Sequence, residues 1–233
     1  MKIVFLNVNG GSSLKELLKF ISFHIDTTDI FCFQEALETE NFKKALSLLS
    51  KSYVKFTTGR HLVPNIIDTA LTTFIKKEYL DSNNKKYLFT DNPSIGIGLQ
   101  TKVSINKKTL NIINFHGLPY PGDKLDTKER KLQSKSIIQE IKKYDAPIIL
   151  GGDFNLYPNT ESIKIIEDFG LVNLIKKFNI KNTRNELIWN MYPDSKQYFA
   201  DYIFVSPSIE VESLNVPYVL ASDHLPLILK VLP

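Results

Sequence analysis

Carboxylate, amide and histidine side chains recur in this sequence where strand-like apolar runs begin or end. They are Asn7, Asn9, Glu35, His116, Asp153, Asn155, Asp201, Asp223 and His224. Each of them alone is explained as well by a turn or by the solvated end of a strand. Because strand ends in α/β proteins meet at one edge of a sheet, their joint occurrence predicts that they converge on one site.

The predicted cluster has the composition of a site for a hard divalent cation. Its carboxylates include Glu35, Asp153 and Asp223, and Asn7 and Asn155 add neutral oxygen donors. Oxygen ligands of this kind suit Mg²⁺ or Mn²⁺, and the lack of cysteine in the set disfavours a structural zinc site.

The two histidines of the cluster, His116 and His224, add a second kind of chemistry. An imidazole can hydrogen-bond a phosphate oxygen or transfer a proton near neutral pH. A metal ion that polarises, a carboxylate that activates water and donors that hold an oxyanion are the parts needed to hydrolyse a phosphate ester.

The stretch GGDFNLYPN, residues 151–159, is the best candidate for the centre of this site. It follows the apolar run APIIL, so it begins at the end of a buried strand. Asp153 and Asn155 are two residues apart, and in an extended chain their side chains project to the same side. We expect the glycines to let the strand end tightly and to bring the backbone close to a phosphate.

The elements that must position these residues are a mixture of strands and helices. Apolar runs of strand length begin near residues 2, 29, 53, 69, 96, 109, 146, 201 and 226, and helical patterns begin near residues 12, 38, 126 and 160. Several strand runs are continuously apolar, which predicts burial on both faces. This order favours two sheets packed face to face with helices outside, in a single domain over 1–233. The segment 171–199 is predicted to be a long irregular loop, a feature that is often functional.

Composition restricts the class of protein. The hydrophobic fraction of 43% and the charged fraction of 23% are those of a globular protein. No membrane anchor or leader is expected, and the single cysteine, Cys32, is predicted to be a buried apolar residue of a cytoplasmic protein. The net charge of +4 is a mild bias towards polyanionic partners. No obligatory protein partner is evident. Arg60 and Arg184 could line a substrate groove, but solvated loop charges are the favoured explanation.

Six short motifs occur in one order across the chain: LNVNG, FQEA, NFHG, GGDFN, ADYIFVS and SDHLPL. Together they resemble the endonuclease/exonuclease/phosphatase superfamily, which has the deoxyribonuclease I-like fold. GDFN and SDHLP are the most specific of them. The resemblance covers almost the whole chain and implies an α/β fold, a four-layer α/β/β/α sandwich of two mainly antiparallel or mixed sheets with outer helices.

The resemblance also implies roles for single residues. In the metal site, Glu35 is the main carboxylate, and Asn7 and Asp223 lie beside it. Asp153 orients or deprotonates the attacking water, and Asn155 holds the scissile phosphate.

The remaining residues are expected to act on the phosphate. His224 contacts it and is oriented by Asp201, while His116 binds phosphate or donates a proton. Asn9 and Arg130 are predicted substrate contacts, although a salt-bridged helix arginine is as good an explanation of Arg130.

The expected function is a Mg²⁺- or Mn²⁺-dependent phosphodiesterase, with nucleic acid or another phosphate ester as its substrate. A nuclease that acts on DNA or RNA is the first choice, and an enzyme for inositol phosphates or phospholipid headgroups is the alternative. The run KQYFADYIF lacks the arginine that relatives cutting DNA at abasic sites carry before Asp-Tyr, which argues against that repair role. A non-catalytic binding module of the same fold is a weaker alternative, because both the metal glutamate and the water-activating aspartate are present.

Overall fold

The computed structural model describes residues 1–37, 39–58, 61–63, 67–89, 95–105 and 108–232. For residues 41, 61–63, 67–68 and 81–84 it describes the backbone alone. Arg60, with the prediction made for it, lies outside the described residues.

Two six-stranded mixed sheets form the centre of the protein. The first sheet has the order β13-β14-β1-β2-β6-β3 and consists of β1 (Lys2–Asn7), β2 (Ile30–Gln34), β3 (Tyr53–Thr57), β6 (Thr72–Lys76), β13 (Val211–Asn215) and β14 (Leu227–Val231). The second has the order β11-β12-β10-β9-β8-β7 and consists of β7 (Leu80–Leu88), β8 (Ile97–Ile105), β9 (Lys108–His116), β10 (Ile148–Asp153), β11 (Val172–Asn173) and β12 (Asp201–Val205). A separate hairpin pairs β4 (His61–Val63) with β5 (Ile67–Thr69).

Six α-helices are found among the described residues. They are α1 (Leu14–His24), α2 (Glu40–Leu49), α3 (Lys128–Ile141), α4 (Glu161–Asp168), α5 (Leu174–Lys177) and α6 (Glu186–Met191). The side chains of Thr39, Thr127 and Thr160 cap α2, α3 and α4 by accepting a backbone N–H of the first turn. Ser13 precedes α1 but makes no such bond.

The continuous apolar runs arise because both faces of the central strands are covered. Along β1, Ile3 and Phe5 belong to the core between the sheets, whereas Val4 and Leu6 belong to a second core with residues of α1 and α2. On the side of the second sheet, α3 adds Ile137 and α4 adds Ile163 to the first of these cores. Both faces of such a strand must then be apolar, so its sequence lacks the usual alternation of apolar and polar residues.

The four-layer α/β/β/α prediction is confirmed, and all nine predicted strand runs are strands. The sequence did not indicate β7 or β13, which lie at sheet edges and carry polar residues. The segment 171–199 holds the short elements β11, α5 and α6, so it is more ordered than the predicted loop. Short helices of one turn carry too few residues for a periodic pattern.

Candidate active site

Parallel strand pairs, one in each sheet, bring the predicted residues to one edge. In the first sheet, β1 and β2 run parallel with Asn7 opposite Gln34, and Glu35 follows directly. In the second sheet, β9 and β10 run parallel with His116 opposite Asp153. The sheets pack face to face, so these carboxyl ends lie together, and the Nδ2 group of Asn7 donates to Asp153 across the interface at 3.0 Å.

The backbone at this edge takes an uncommon conformation repeatedly. Asn9, Glu35, Lys124 and Asn155 have positive φ values of 45°, 50°, 59° and 55°. Such values cost energy for residues other than glycine and persist where surrounding contacts hold them, typically at functional sites. The chain bends sharply just after its strands, which turns these side chains towards one another.

The two glycines of GGDFN lie where neighbouring parts of the chain leave no room for a side chain. A Cβ on Gly152 would lie 2.1 Å from the carbonyl oxygen of Phe115, and one on Gly151 would lie 2.8 Å from the ring of Phe5. They therefore permit close approach of the adjacent strand and of the other sheet. The prediction that they bring the backbone to a phosphate gains no support from these contacts.

Glu35, His116 and Asp153 form the candidate metal centre. One ligand atom from each lies within 4.8 Å of the others. The Nε2 atom of His116 is 3.7 Å from a Glu35 oxygen and 3.8 Å from an Asp153 oxygen, and this buried nitrogen has no hydrogen-bond partner among the described residues. Two carboxylates and an unpartnered imidazole nitrogen fit a divalent cation that takes oxygen and nitrogen ligands.

The neighbouring residues orient this centre. The Nδ2 group of Asn7 donates to Glu35 as well as to Asp153, at 3.0 Å in each case, and thereby links the two carboxylates. The Nδ1 atom of His116 is 3.0 Å from the hydroxyl of Thr69. That contact fixes the imidazole ring and leaves Nε2 facing the carboxylates.

His224 and Asp201 form a buried pair beside the metal centre. The Nδ1 atom of His224 lies 2.9 Å from an Asp201 oxygen, and Nε2 lies 3.7 Å from an Asp153 oxygen. Burial lowers the pKa of His224, but the charges of Asp201, Asp223 and Asp153 together outweigh burial, and the pKa ends above its usual value. The pKa of Asp201 is raised by burial, which His224 opposes. The arrangement directs the Nε2 atom of His224 towards the centre of the site.

Asp153 lies at the centre of the charges. Burial raises the pKa of this carboxyl, but the nearby His224 and His116, with two further cations, outweigh burial and lower it to about 2. Its Oδ1 atom accepts the backbone N–H of Asn155 at 2.8 Å. Asp153 is therefore ionised near neutral pH and is held in one orientation.

Asn155 is buried beside Asp153, as its predicted role requires, and it has an unexpected partner. Its Nδ2 group donates to the carbonyl of Gly117 at 3.2 Å, and its Oδ1 atom accepts from the ammonium of Lys124 at 2.5 Å. Lys124 was not indicated by the sequence, because it lies in the Gly- and Pro-rich stretch after His116 without periodicity. A single lysine in such a stretch is usually solvated.

Asp223 and Asn9 lie on another side of the cluster. The carboxylate of Asp223 accepts from Arg184 at 2.5 Å and from the Nδ2 group of Asn9 at 3.1 Å. Arg184 is 6% exposed and contributes to the site cavity, so the prediction of a solvated loop charge is wrong. Asp223 is absent from the three-residue clusters that could hold a metal, and its role there stays a prediction.

The structure places Arg130 below the loop that follows His116. Its side chain is 0% exposed. Its guanidinium donates to the carbonyl of Leu125 at 2.6 Å, to that of Pro121, and to the Asp123 carboxylate at 3.3 Å. Arg130 therefore supports this loop from within, and a substrate contact by its guanidinium would require the loop to move.

A cavity of about 660 Å³ opens over the predicted residues. Its walls include the exposed Tyr120 and Tyr192 together with Met191. The indole N–H of Trp189 donates to the carbonyl of Gln197 at 2.8 Å, and its ring packs against Tyr198. The cavity combines a polar, charged floor with an aromatic rim.

The fold and this edge define an α/β-sandwich protein with a phosphoester hydrolase type of site. The sequence profile of the Endonuclease/Exonuclease/phosphatase family matches residues 4–224, and the chain belongs to this family. No curated protein sequence matches the chain. No helix in the described part of the chain has the length and apolarity needed to span a bilayer.

Solved structures of the same fold come from several organisms. An endonuclease/exonuclease/phosphatase from Bacteroides vulgatus has a TM-score of 0.77 at 20% identity, over 99% of this chain and 97% of that one. A mannosyl-6-phosphatase from Bacteroides thetaiotaomicron has a TM-score of 0.73 at 20% identity, over 100% and 99%. TDP2 from D. rerio, complexed with single-strand DNA product, has a TM-score of 0.72 at 16% identity, over 98% and 97%. At these identities the likeness establishes the fold alone.

Proposed function

We propose that this protein is a divalent-metal-dependent phosphodiesterase. The observation that carries the proposal is the unpartnered Nε2 atom of His116 within 4.8 Å of ligand oxygens of Glu35 and Asp153. Beside it lie an oriented histidine and a buried amide, which are the groups that phosphate ester hydrolysis needs.

The metal is proposed to be Mg²⁺ or Mn²⁺, held by Glu35 and Asp153 with His116 or Asn7 adjacent. When bound, such an ion neutralises phosphate charge and stabilises a developing oxyanion. Asn7 supports this role, because its hydrogen bonds to both carboxylates hold them in place before an ion binds.

Asp153 is proposed to align the attacking water. A carboxylate whose pKa is about 2 holds a proton weakly, so its main contribution is to accept a hydrogen bond and orient the water for in-line attack. Its position two residues before Asn155, with the backbone N–H of Asn155 donating to its carboxylate, supports a water and a phosphate side by side.

His224 and Asn155 are proposed to hold the phosphate. The raised pKa of His224 keeps its ring protonated to a higher pH than usual, so the Nε2–H group donates to an anion. Asn155 has one Nδ2 hydrogen engaged by Gly117 and a second one free for a phosphoryl oxygen.

Nucleic acid is the proposed substrate class, and cleavage of DNA or RNA is the proposed activity. Tyr120 and Tyr192 at the cavity rim are each 55% exposed, and a nucleobase can stack on either ring. The net charge of +4 and the DNA product bound by TDP2 of similar fold agree with this choice. A cytoplasmic location is part of the same proposal.

A phosphatase or phosphodiesterase for sugar, inositol or lipid headgroup phosphates is the second candidate. It is supported by the mannosyl-6-phosphatase of similar fold. The cavity is also large enough for a small phosphorylated molecule.

A substrate panel tests the proposal. Wild type and Glu35→Gln are assayed with Mg²⁺, with Mn²⁺ and with excess chelator on single- and double-stranded DNA, RNA, inositol phosphates, sugar phosphates and sphingomyelin. We expect metal-dependent cleavage of single-stranded nucleic acid by wild type, and a cleavage rate lower by about 10²-fold or more in Glu35→Gln. Cleavage of sugar or lipid phosphates alone would favour the second candidate, and equal activity of the variant would overturn the proposed metal site.

A further inference from the structure

Lys124 has an environment that a structural lysine rarely has. It is 4% exposed, it borders the site cavity, and the described residues offer it no carboxylate within 4 Å. Burial lowers its pKa to about 8, and the charges of Asp153 and Asp201 only partly oppose this effect. A buried ammonium without an ion pair is costly to folding, so a compensating use is expected.

The loop 117–126 is built to present this side chain. Arg130 donates to loop carbonyls on both sides of Lys124, at Pro121 and Leu125. The Lys124 carbonyl accepts the backbone N–H of Tyr157 at 2.9 Å, and the residue has a φ of 59°. The end of the loop is fixed as well, because Asp126 accepts the first backbone N–H groups of α4.

The ammonium has donors to spare at the position where a phosphate is expected. Among the described residues its one hydrogen bond goes to Oδ1 of Asn155, so two of its three N–H groups have no protein partner. Asn155 is the amide proposed to hold the phosphate, and a phosphoryl oxygen bound by Asn155 is therefore within reach of Lys124.

We propose that Lys124 is a further catalytic residue, which donates to a nonbridging oxygen of the scissile phosphate from the loop side of the cavity. This inference rests on the proposed function. No bond is made or broken by the lysine: its positive charge stabilises the additional negative charge of the pentavalent transition state, opposite the carboxylate centre. Arg130 becomes a positioning residue, since it fixes the loop that carries Lys124.

The alternative is a lysine that only orients the amide of Asn155. The two roles differ in their effect on a bound phosphate. An orienting lysine acts on phosphate only through Asn155, so its replacement changes the affinity for inorganic phosphate no further once Asn155 is alanine. A lysine that contacts the phosphate lowers this affinity in the Asn155→Ala background as well.

The test compares wild type with Lys124→Met, Lys124→Arg, Asn155→Ala and the double variant Lys124→Met/Asn155→Ala, with Lys164→Met as the matched control. Lys164 is 67% exposed and pairs with Asp168 on α4, away from the cavity. Methionine fills the space of the lysine stem without its charge, and the thermal midpoint of each variant is recorded. Lys124→Gln replaces Lys124→Met if the latter does not fold.

Two readouts are taken for every variant: kcat/KM on the best substrate of the panel, and the dissociation constant of inorganic phosphate by calorimetry with Mg²⁺ present. For Lys124→Met we expect kcat/KM to fall on the order of 10²-fold and the dissociation constant of inorganic phosphate to rise about tenfold. Lys124→Arg should recover part of both losses. The control should differ from wild type by less than twofold in both.

Phosphate affinity within twofold of wild type in Lys124→Met, or equal phosphate affinity in Asn155→Ala and Lys124→Met/Asn155→Ala, would overturn the inference, whether kcat/KM falls or not. A wild-type protein that cleaves none of the substrates would instead contradict the proposed function. The calorimetry distinguishes these failures, because it reports phosphate binding without turnover.

Discussion

The two halves of the candidate site are built differently. One half, the strand-end set, consists of Asn7, Glu35, His116 and Asp153, at the ends of β1, β2, β9 and β10. The other, the loop set, consists of Tyr120, Lys124, Arg184 and Tyr192, in the segments between strands. The strand-end set is fixed by sheet pairing, whereas the loop set depends on local hydrogen bonds.

This difference assigns distinct tasks to the two halves. Strands of packed sheets hold side chains within a narrow range, which suits a metal centre and an aligned water. Loops vary without disturbing the core and therefore suit the selection of a substrate. The comparison predicts that strand-end variants lose turnover and that loop variants lose affinity for the substrate, with Lys124→Met lowering turnover as well. The variants below are ordered from the largest expected effect.

Asp153→Asn should have the largest effect. The amide keeps the shape of the carboxylate but loses the charge that aligns water and contributes to the metal centre. We expect kcat to fall by about 10²–10⁴-fold. The thermal midpoint should change little, since the hydrogen bond from the Asn155 backbone can still be accepted. Steady-state kinetics together with thermal unfolding checks this, and a variant that keeps more than a tenth of wild-type kcat would break the comparison.

Asp201→Asn tests the pair that supports the strand-end set. Asp201 raises the pKa of His224, so its removal should lower that pKa, and the ring should lose its proton at a lower pH. If activity needs the protonated ring, kcat/KM of the variant declines at a lower pH than that of wild type. The difference in kcat/KM should be on the order of 10²-fold at alkaline pH and should become smaller as the pH is lowered. A pH profile of kcat/KM measures this shift. An alkaline limb at the wild-type position would show that His224 acts without a proton.

Arg184→Met tests the ion pair that joins Arg184 of the loop set to Asp223. The buried carboxylate of Asp223 loses its 2.5 Å hydrogen bond, which should lower the free energy of unfolding by about 2 kcal/mol. The double variant Arg184→Met/Asp223→Asn should recover part of this loss, because no unpaired charge remains. Chemical denaturation of the three proteins provides the measurement, and equal stability of the single and double variants would show that Arg184 matters through its packing.

Tyr192→Ala should have the smallest effect and should sharpen the substrate class. If a base stacks on this ring, KM for single-stranded nucleic acid rises about fivefold to tenfold with kcat almost unchanged. Tyr218 is similarly exposed and bonds to Glu186 outside the cavity, so Tyr218→Ala is the matched control. An unchanged KM in Tyr192→Ala would point to a substrate without a base at this position.

The comparison also explains how much the sequence could reveal. Strand-end residues follow apolar runs whose pattern is visible in the sequence, and the parallel pairing of those strands brings Asn7, Glu35, His116 and Asp153 together as predicted. The order of the strands and the buried faces follow from the same runs.

Loop residues carry no such signal. The burial of Lys124 depends on hydrogen bonds made by Arg130, Tyr157 and Asn155, and the last two residues lie far along the chain from Lys124. Arg184 is buried because the segment that carries it pairs with the backbone at His224. Such contacts arise only when the chain is folded, so composition and spacing cannot indicate them.

Titration of Mn²⁺ by calorimetry tests the central claim most directly, because it separates metal binding from substrate binding. Wild type, Glu35→Gln, Lys124→Met and Tyr192→Ala are titrated without substrate. We expect wild type and both loop variants to bind Mn²⁺ with dissociation constants within threefold of one another, and Glu35→Gln to bind at least tenfold more weakly. Unchanged binding in Glu35→Gln, or a comparable loss in the loop variants, would contradict the division of the site into a strand-end metal centre and a loop-borne substrate surface.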